Sequence, residues 1–250
     1  MTFSWRPLRV RASILVIVLG LLVTALVTTG LWRDESESAG GPVTPVRQSD
    51  ANAPEVLWVG DSYTIGFGTD GPAHGYPCLV SDRLGWTCQL DAQGGTGFVN
   101  PGREDTGYAP LDERLERTSA IFDAPDLVVI DAGRNDFRAT PGSFRGASTD
   151  YLRATRASFP DAHIAVILPF ALGQSRFDYS TIARTLRVAA SDIGATVIDT
   201  TTPGWRRLVD RLPTVDGLHP TIGSHRIIAR HLVRTFRRLG IPRSIRPHTT

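Results

Sequence analysis

Ser62, Asp216 and His219 are the residues of this chain whose types and spacing could do chemistry together. A serine hydroxyl is a poor nucleophile until a base takes its proton, and imidazole is the uncharged base suited to neutral pH. Of the six histidines, His219 alone has a carboxylate three residues before it in a loop that leads into a helical pattern, in the segment DGLHP. A turn of that length lets Asp216 accept from Nδ1, which fixes the tautomer and leaves Nε2 to face a hydroxyl. Ser62 lies in GDSYTIG, directly after the apolar run 56–59. Asn135, in GRND, offers an amide donor without charge. The glycines of AQGGTG let a backbone N–H approach a substrate closely. With the Ser62 N–H these donors could surround a developing oxyanion. Each segment alone also reads as ordinary turn or capping chemistry; it is their joint placement that carries weight.

That placement follows from the elements. Short apolar runs at 56–59, 86–90, 127–130, 164–168 and 196–198 read as five strands, and helical patterns fall at 74–84, 110–122, 148–159, 179–193 and 221–239. Continuous rather than alternating apolar strands, separated by helices, predict a parallel sheet covered on both faces: an α/β chain in three layers, α/β/α. With a flavodoxin-like strand order, the loops after the first and third strands become neighbours where the order reverses, at the edge where such folds bind ligands. GDSYTIG follows the first strand, AQGGTG the second and GRND the third, while DGLHP precedes the last helix.

Four blocks in this order resemble the SGNH (GDSL-type) hydrolase family, over about residues 56–230. The resemblance implies that Ser62 is the nucleophile and that Asp216 and His219 complete a triad. It also implies that Asn135 and a glycine of the second block, Gly95 or Gly97 with Gly95 preferred, are oxyanion donors. Tyr63 stands where the motif has Leu. The activity implied is hydrolysis of acyl esters through an acyl-serine, without cofactor or metal; short acyl groups are favoured because no long apolar lid stands out in the sequence. The alternatives are an O-acyltransferase acting on cell-envelope glycan and a catalytically silent envelope-binding module. Around the blocks, Asp61 and Asp136 are expected to hold loops through backbone donors, and His74 and Tyr76 to start a helix or line the site's mouth. Trp58 and Trp86 are expected in strands, Trp205 beside the acyl or alcohol group, and His163, His225, His231 and His248 on the surface or in packing.

Residues 13–32 carry no charge and would make ~30 Å of helix, the thickness of a bilayer core. Arg6, Arg9 and Arg11 precede the run and Asp34, Glu35 and Glu37 follow it, so the positive-inside rule leaves 1–12 in the cytoplasm and the remainder outside. We read it as a membrane anchor, with a cleaved signal peptide as the alternative. Either way the bulk of the chain is exported. Residues 33–53, rich in Ser, Gly, Pro and acid, read as a tether, 54–240 as one hydrolase domain and 241–250 as a tail. In an exported chain Cys78 and Cys88, ten apart, are a candidate disulfide, with two buried thiols as the alternative. The formal net charge is +2 and every one of the 27 basic residues is arginine. This balance gives no reason to expect a nucleic-acid partner; the expected partners are an acyl ester, envelope glycan or lipid, and the membrane.

Overall fold

A computed structural model describes residues 53–172 and 178–241. The predicted N-terminal segment and anchor, nearly all of the tether and all but the first residue of the tail lie outside the described residues. Among those described, no helix is long and apolar enough to cross a membrane.

Five parallel strands form one sheet in the order β2-β1-β3-β4-β5: β1 Val56–Gly60, β2 Gln89–Ala92, β3 Leu127–Asp131, β4 His163–Ile167 and β5 Thr196–Ile198. Every residue of β1 and β3 is buried, as strands covered on both faces must be. Six α-helices accompany them among the described residues: α1 Tyr76–Leu84, α2 Leu111–Ile121, α3 Pro141–Ser158, α4 Ser180–Asp192, α5 Pro203–Val209 and α6 Ile222–Leu239. Alternate strand residues serve opposite layers. Trp58, Val129 and Ile167 pack with Val80 of α1, Trp205 of α5 and Leu232 and Phe236 of α6. Val59, Ile130 and Val166 pack with Leu111 of α2, Leu152 of α3 and Leu186 of α4.

The register sets up the site. Gly60 lies opposite Ala92 of β2 and Asp131 of β3, so three strands end level and release their loops at one edge, on both sides of the point where strand order reverses. Helix ends are set by local chemistry. Thr140, Thr202 and Thr221 each cap a helix through the side-chain oxygen, to Ser143, Trp205 and Ser224 respectively. Gly85, at φ 74°, ends α1 in a left-handed turn in which the Trp86 N–H reaches Ser81 O at 2.9 Å. Cys78 of α1 and Cys88, just before β2, are joined as a disulfide.

The structure departs from two sequence expectations and adds one element that the sequence did not suggest. Trp86 is buried but lies in the turn after α1, not in a strand, because the Gly85 stop leaves it short of the β2 ladder; its ring meets Phe236 edge-on at 5.3 Å. The helix expected at 148–159 begins at Pro141, since the Thr140 cap and Pro at the first turn outweigh the weak propensities of Gly142 and Gly146. The seven-residue α5, too short to show a period, was not foreseen.

Candidate active site

Gly60 closes β1 where no larger residue fits: a Cβ there would lie 2.0 Å from Thr64 Oγ1 and 2.5 Å from Asp131 O. The chain then turns once in helical fashion, with Ile65 N–H donating to Asp61 O (3.0 Å) and Phe67 N–H to Ser62 O (2.9 Å). Asp61 Oδ1 accepts the Tyr63 N–H at 2.9 Å, an Asx turn that fixes the residues on either side of Ser62. Ser62 itself is almost buried.

DGLHP is built the same way. Asp216 Oδ1 accepts the N–H groups of Leu218 (3.0 Å) and His219 (2.7 Å), while Gly217 takes the φ of 85° that the turn needs. The Val215 N–H donates to His219 O at 2.9 Å. Tyr63 Oη then donates to Leu218 O at 2.7 Å, fastening this loop to the one that carries Ser62. The outcome is a continuous chain: Ser62 Oγ lies 2.9 Å from His219 Nε2, and His219 Nδ1 lies 2.6 Å from Asp216 Oδ2. Burial pushes the Asp216 carboxyl up, but the His219 amide and ring and the Leu218 amide more than offset this and hold it below the usual carboxylate range. An ionised Asp216 makes Nδ1 the protonated nitrogen, so Nε2 accepts from Ser62.

After β3, Gly133 (φ 107°) leads into a single turn of 3-10 helix, Arg134–Asp136. Asn135 Nδ2 donates to Thr96 O at 2.9 Å and stands 3.4 Å from Asp61 Oδ2, bringing the third block against the first two. Asp136 accepts the N–H groups of Phe98, Val99 and Asn100 at 2.9, 2.9 and 3.0 Å, as its expected loop-holding role requires. Burial still raises its pKa, against the pull of those three donors. Gly97 sits beneath this carboxylate, where a Cβ would come within 2.3 Å of it, and its N–H is already given to Asn100 O. The second block therefore offers Gly94 and Gly95 instead. Gly94, which sequence reasoning passed over, is the nearer to Ser62, its Cβ position 3.9 Å from that of the serine.

Other expectations shift. Tyr76 opens α1, as expected of a helix start, and is fully buried with its hydroxyl bonded to Asp131, so of its two expected places the mouth of the site is the one it does not take. His74 is in a short 3-10 turn, Pro72–His74, and pairs with Asp70 at 2.6 Å. Trp205 faces Phe170 and His231 in the core and is 3% exposed, because the Thr202 cap starts α5 with that ring turned inward; it does not flank the reacting groups. His163 Nε2 lies 3.0 Å from Thr196 Oγ1, bridging β4 and β5. His225 is fully buried, accepting the Tyr76 N–H at Nδ1 and reaching Phe67 O with Nε2. The Phe67 ring in turn lies 4.3 Å from that of His219. His248 lies outside the described residues.

The model of the GDSL-like lipase/acylhydrolase family matches residues 58–227, from within β1 into α6, and so covers all four blocks. The chain belongs to that family. It is a GDSL-type serine ester hydrolase. No curated protein sequence matches the chain. Solved structures of similar fold include a carbohydrate esterase family 2 enzyme with its carbohydrate-binding domain from Corynascus thermopiles (Myceliophthora fergusii), at 21% identity and TM-score 0.61 over 79% of this chain and 69% of that one. Another is a family two carbohydrate esterase from Clostridium thermocellum in complex with cellohexaose, at 18% identity and TM-score 0.57 over 80% and 66% of the two chains. A third is TesA, at 21% identity and TM-score 0.55 over 74% and 99%. At these identities the likeness is one of fold. Within the GDSL-like fold, the side chains that sequence reasoning missed are Arg134, Phe67 and the Tyr63 hydroxyl; they act across loops far apart in the chain, and no local pattern marks them.

Proposed function

We propose that this GDSL-type hydrolase is an extracytoplasmic esterase that cleaves acyl esters through a Ser62–His219–Asp216 triad. Attack of Ser62 Oγ on the ester carbonyl carbon passes the hydroxyl proton to His219 Nε2 and places negative charge on the carbonyl oxygen. The N–H groups of Ser62 and Gly95 and the Asn135 amide receive that charge, Gly94 leaving the approach open. The imidazolium, held by Asp216, gives its proton to the departing alcohol as the carbonyl re-forms, leaving acyl-Ser62. Water then attacks, His219 takes its proton, and the acid leaves with the serine hydroxyl restored.

The observation that carries this reading is the unbroken chain from Ser62 Oγ to Asp216 at 2.9 and 2.6 Å. Export rests on the uncharged run 13–32 and on the Cys78–Cys88 disulfide, which suits an oxidising compartment. An O-acylated envelope glycan is the substrate we favour, in keeping with carbohydrate esterases among chains of similar fold, and the acyl group is short. The test is turnover of p-nitrophenyl esters of increasing chain length by the purified full chain and by Ser62→Ala. Turnover that falls with chain length and vanishes in the variant supports the reading; residual turnover in Ser62→Ala refutes the nucleophile.

A further inference from the structure

Beneath Ser62 the first and third blocks meet through one buried cation. Arg134 is 5% exposed. Its Nη1 and Nη2 both donate to Asp131 Oδ1, at 2.8 and 2.6 Å, and Nη2 also reaches Tyr76 Oη at 3.3 Å. On its other side Nε stands 3.5 Å from Asp61 Oδ2, an ion pair rather than a full hydrogen bond, and the guanidinium carbon lies 4.5 Å from the centre of the Tyr63 ring. Asp61 and Tyr63 are the two chain neighbours of Ser62, and Asn135 is the chain neighbour of Arg134. Tyr63 also holds Leu218 O, one residue before His219. A single guanidinium thus touches the flanks of the nucleophile, adjoins the oxyanion amide and backs the ring that anchors the histidine loop.

We infer that Arg134 is a positioning residue for ester hydrolysis: it fastens Asp61 and Tyr63 to the turn that carries Asn135, so that hydroxyl, imidazole and amide stay in register. This rests on the triad reading above. The chemistry asks for a charged planar group. Two carboxylates, Asp61 and Asp131, are buried together and need a counter-charge, while an aromatic face needs a flat partner; arginine meets both demands. Groups acting on Asp61 are Arg134, Asp131, His219 and the Tyr63 N–H. Burial raises its pKa to about 6, and among the influences that oppose this Arg134 is the largest. As a carboxylate, Asp61 accepts from the Tyr63 N–H and faces the Asn135 amide; once protonated it loses its pull on both. Removing Arg134 therefore moves the protonation of Asp61 to higher pH and loosens the site at neutral pH.

The experiment compares full-length wild type, Arg134→Lys, Arg134→Met and Arg134→Met/Asp61→Asn, reading kcat and KM for p-nitrophenyl acetate across pH, with circular dichroism to confirm folding. Expected for Arg134→Met is a fall in kcat of about tenfold or more at neutral pH with KM changed less than about twofold, the gap to wild type narrowing as pH rises. Arg134→Lys, which keeps the charge, recovers part of the loss. In the double variant the pH dependence of the gap disappears, whereas a shift transmitted directly to His219 would persist. A loss that is the same at every pH, a change in KM alone or no loss overturns the inference while leaving the esterase reading intact. If Arg134→Met does not fold, the pH profile of Arg134→Lys decides: an acid limb superimposable on that of wild type overturns it. Wild type without turnover instead fails the esterase reading, and the inference with it.

Discussion

In the proposed attack the Ser62 hydroxyl gives up its proton, and the side chain placed to take it is His219 at 2.9 Å. Asp216 contributes by holding the imidazole through two backbone bonds to its own turn and one ring bond. Asp216→Asn keeps the size but can donate where the ring also donates, favouring the wrong tautomer, so kcat should fall on the order of 10³–10⁴ with little change in KM. Steady-state kinetics at saturating ester check this, and a loss under tenfold would remove Asp216 from the triad. Asn135→Ala takes away one proposed oxyanion donor and should cost on the order of 10²–10³ in kcat, while fluorophosphonate still reacts at Ser62, more slowly. These residues were legible in the sequence because each sits in a short local pattern, at a strand end for Ser62 and Asn135 and just before the last helix for Asp216 and His219. Arg134 was not, since its partners Asp61 and Tyr63 lie some seventy positions earlier and only the β1–β3 register brings them together.

Among the elements, the strands were readable within a few residues because buried β-branched runs have no other good home in an α/β chain. Helix starts were less so: α3 opens on Pro141-Gly142-Ser143, where the glycines argue for a loop and only the Thr140 cap with Pro in the first turn argues for a helix. The inward face of Trp205 was not legible, as periodicity cannot tell a ring that lines a cleft from one that fills the layer below. The Gly97 Cβ position meets the Asp136 carboxylate, which three amides hold in place, so neither side can yield cheaply. Gly97→Ala should therefore destabilise by about 1–3 kcal/mol in urea denaturation and reduce turnover more than it reduces stability-matched controls. The Cys78–Cys88 bond ties α1 to the start of β2; replacing both cysteines by alanine should cost about 2–3 kcal/mol, read by the same method. An unchanged midpoint would mean that the bond does not form in the folded chain.

For the molecule as a whole, the buried titratable groups near the site set a pH dependence of stability. His225 lies between the Tyr76 N–H, the Phe67 carbonyl and the Tyr76 ring, with His219 nearby, and burial lowers its pKa from 6.5. The unfolded chain then takes a proton at this position before the folded one does, so His225 makes the fold lose stability as pH drops below 6.5 and until its own lower value is passed. Asp61 runs the other way: its folded value of about 6 exceeds 3.8, so its contribution is present below 3.8 and is lost as pH rises through about 6. Comparing wild type with His225→Gln cancels the Asp61 part. The variant should lose less stability than wild type between pH 7 and 5, measured as urea midpoints; parallel slopes would show that His225 is protonated as readily folded as unfolded. The proposed chemistry requires the hydroxyl at position 62 to carry the acyl group. The most direct measurement is tandem mass spectrometry of the acid-quenched full chain mixed with p-nitrophenyl acetate. We expect an added acetyl group on Ser62 that decays as acetate is released; acetyl on any other residue, or turnover with Ser62 unmodified throughout, would contradict it.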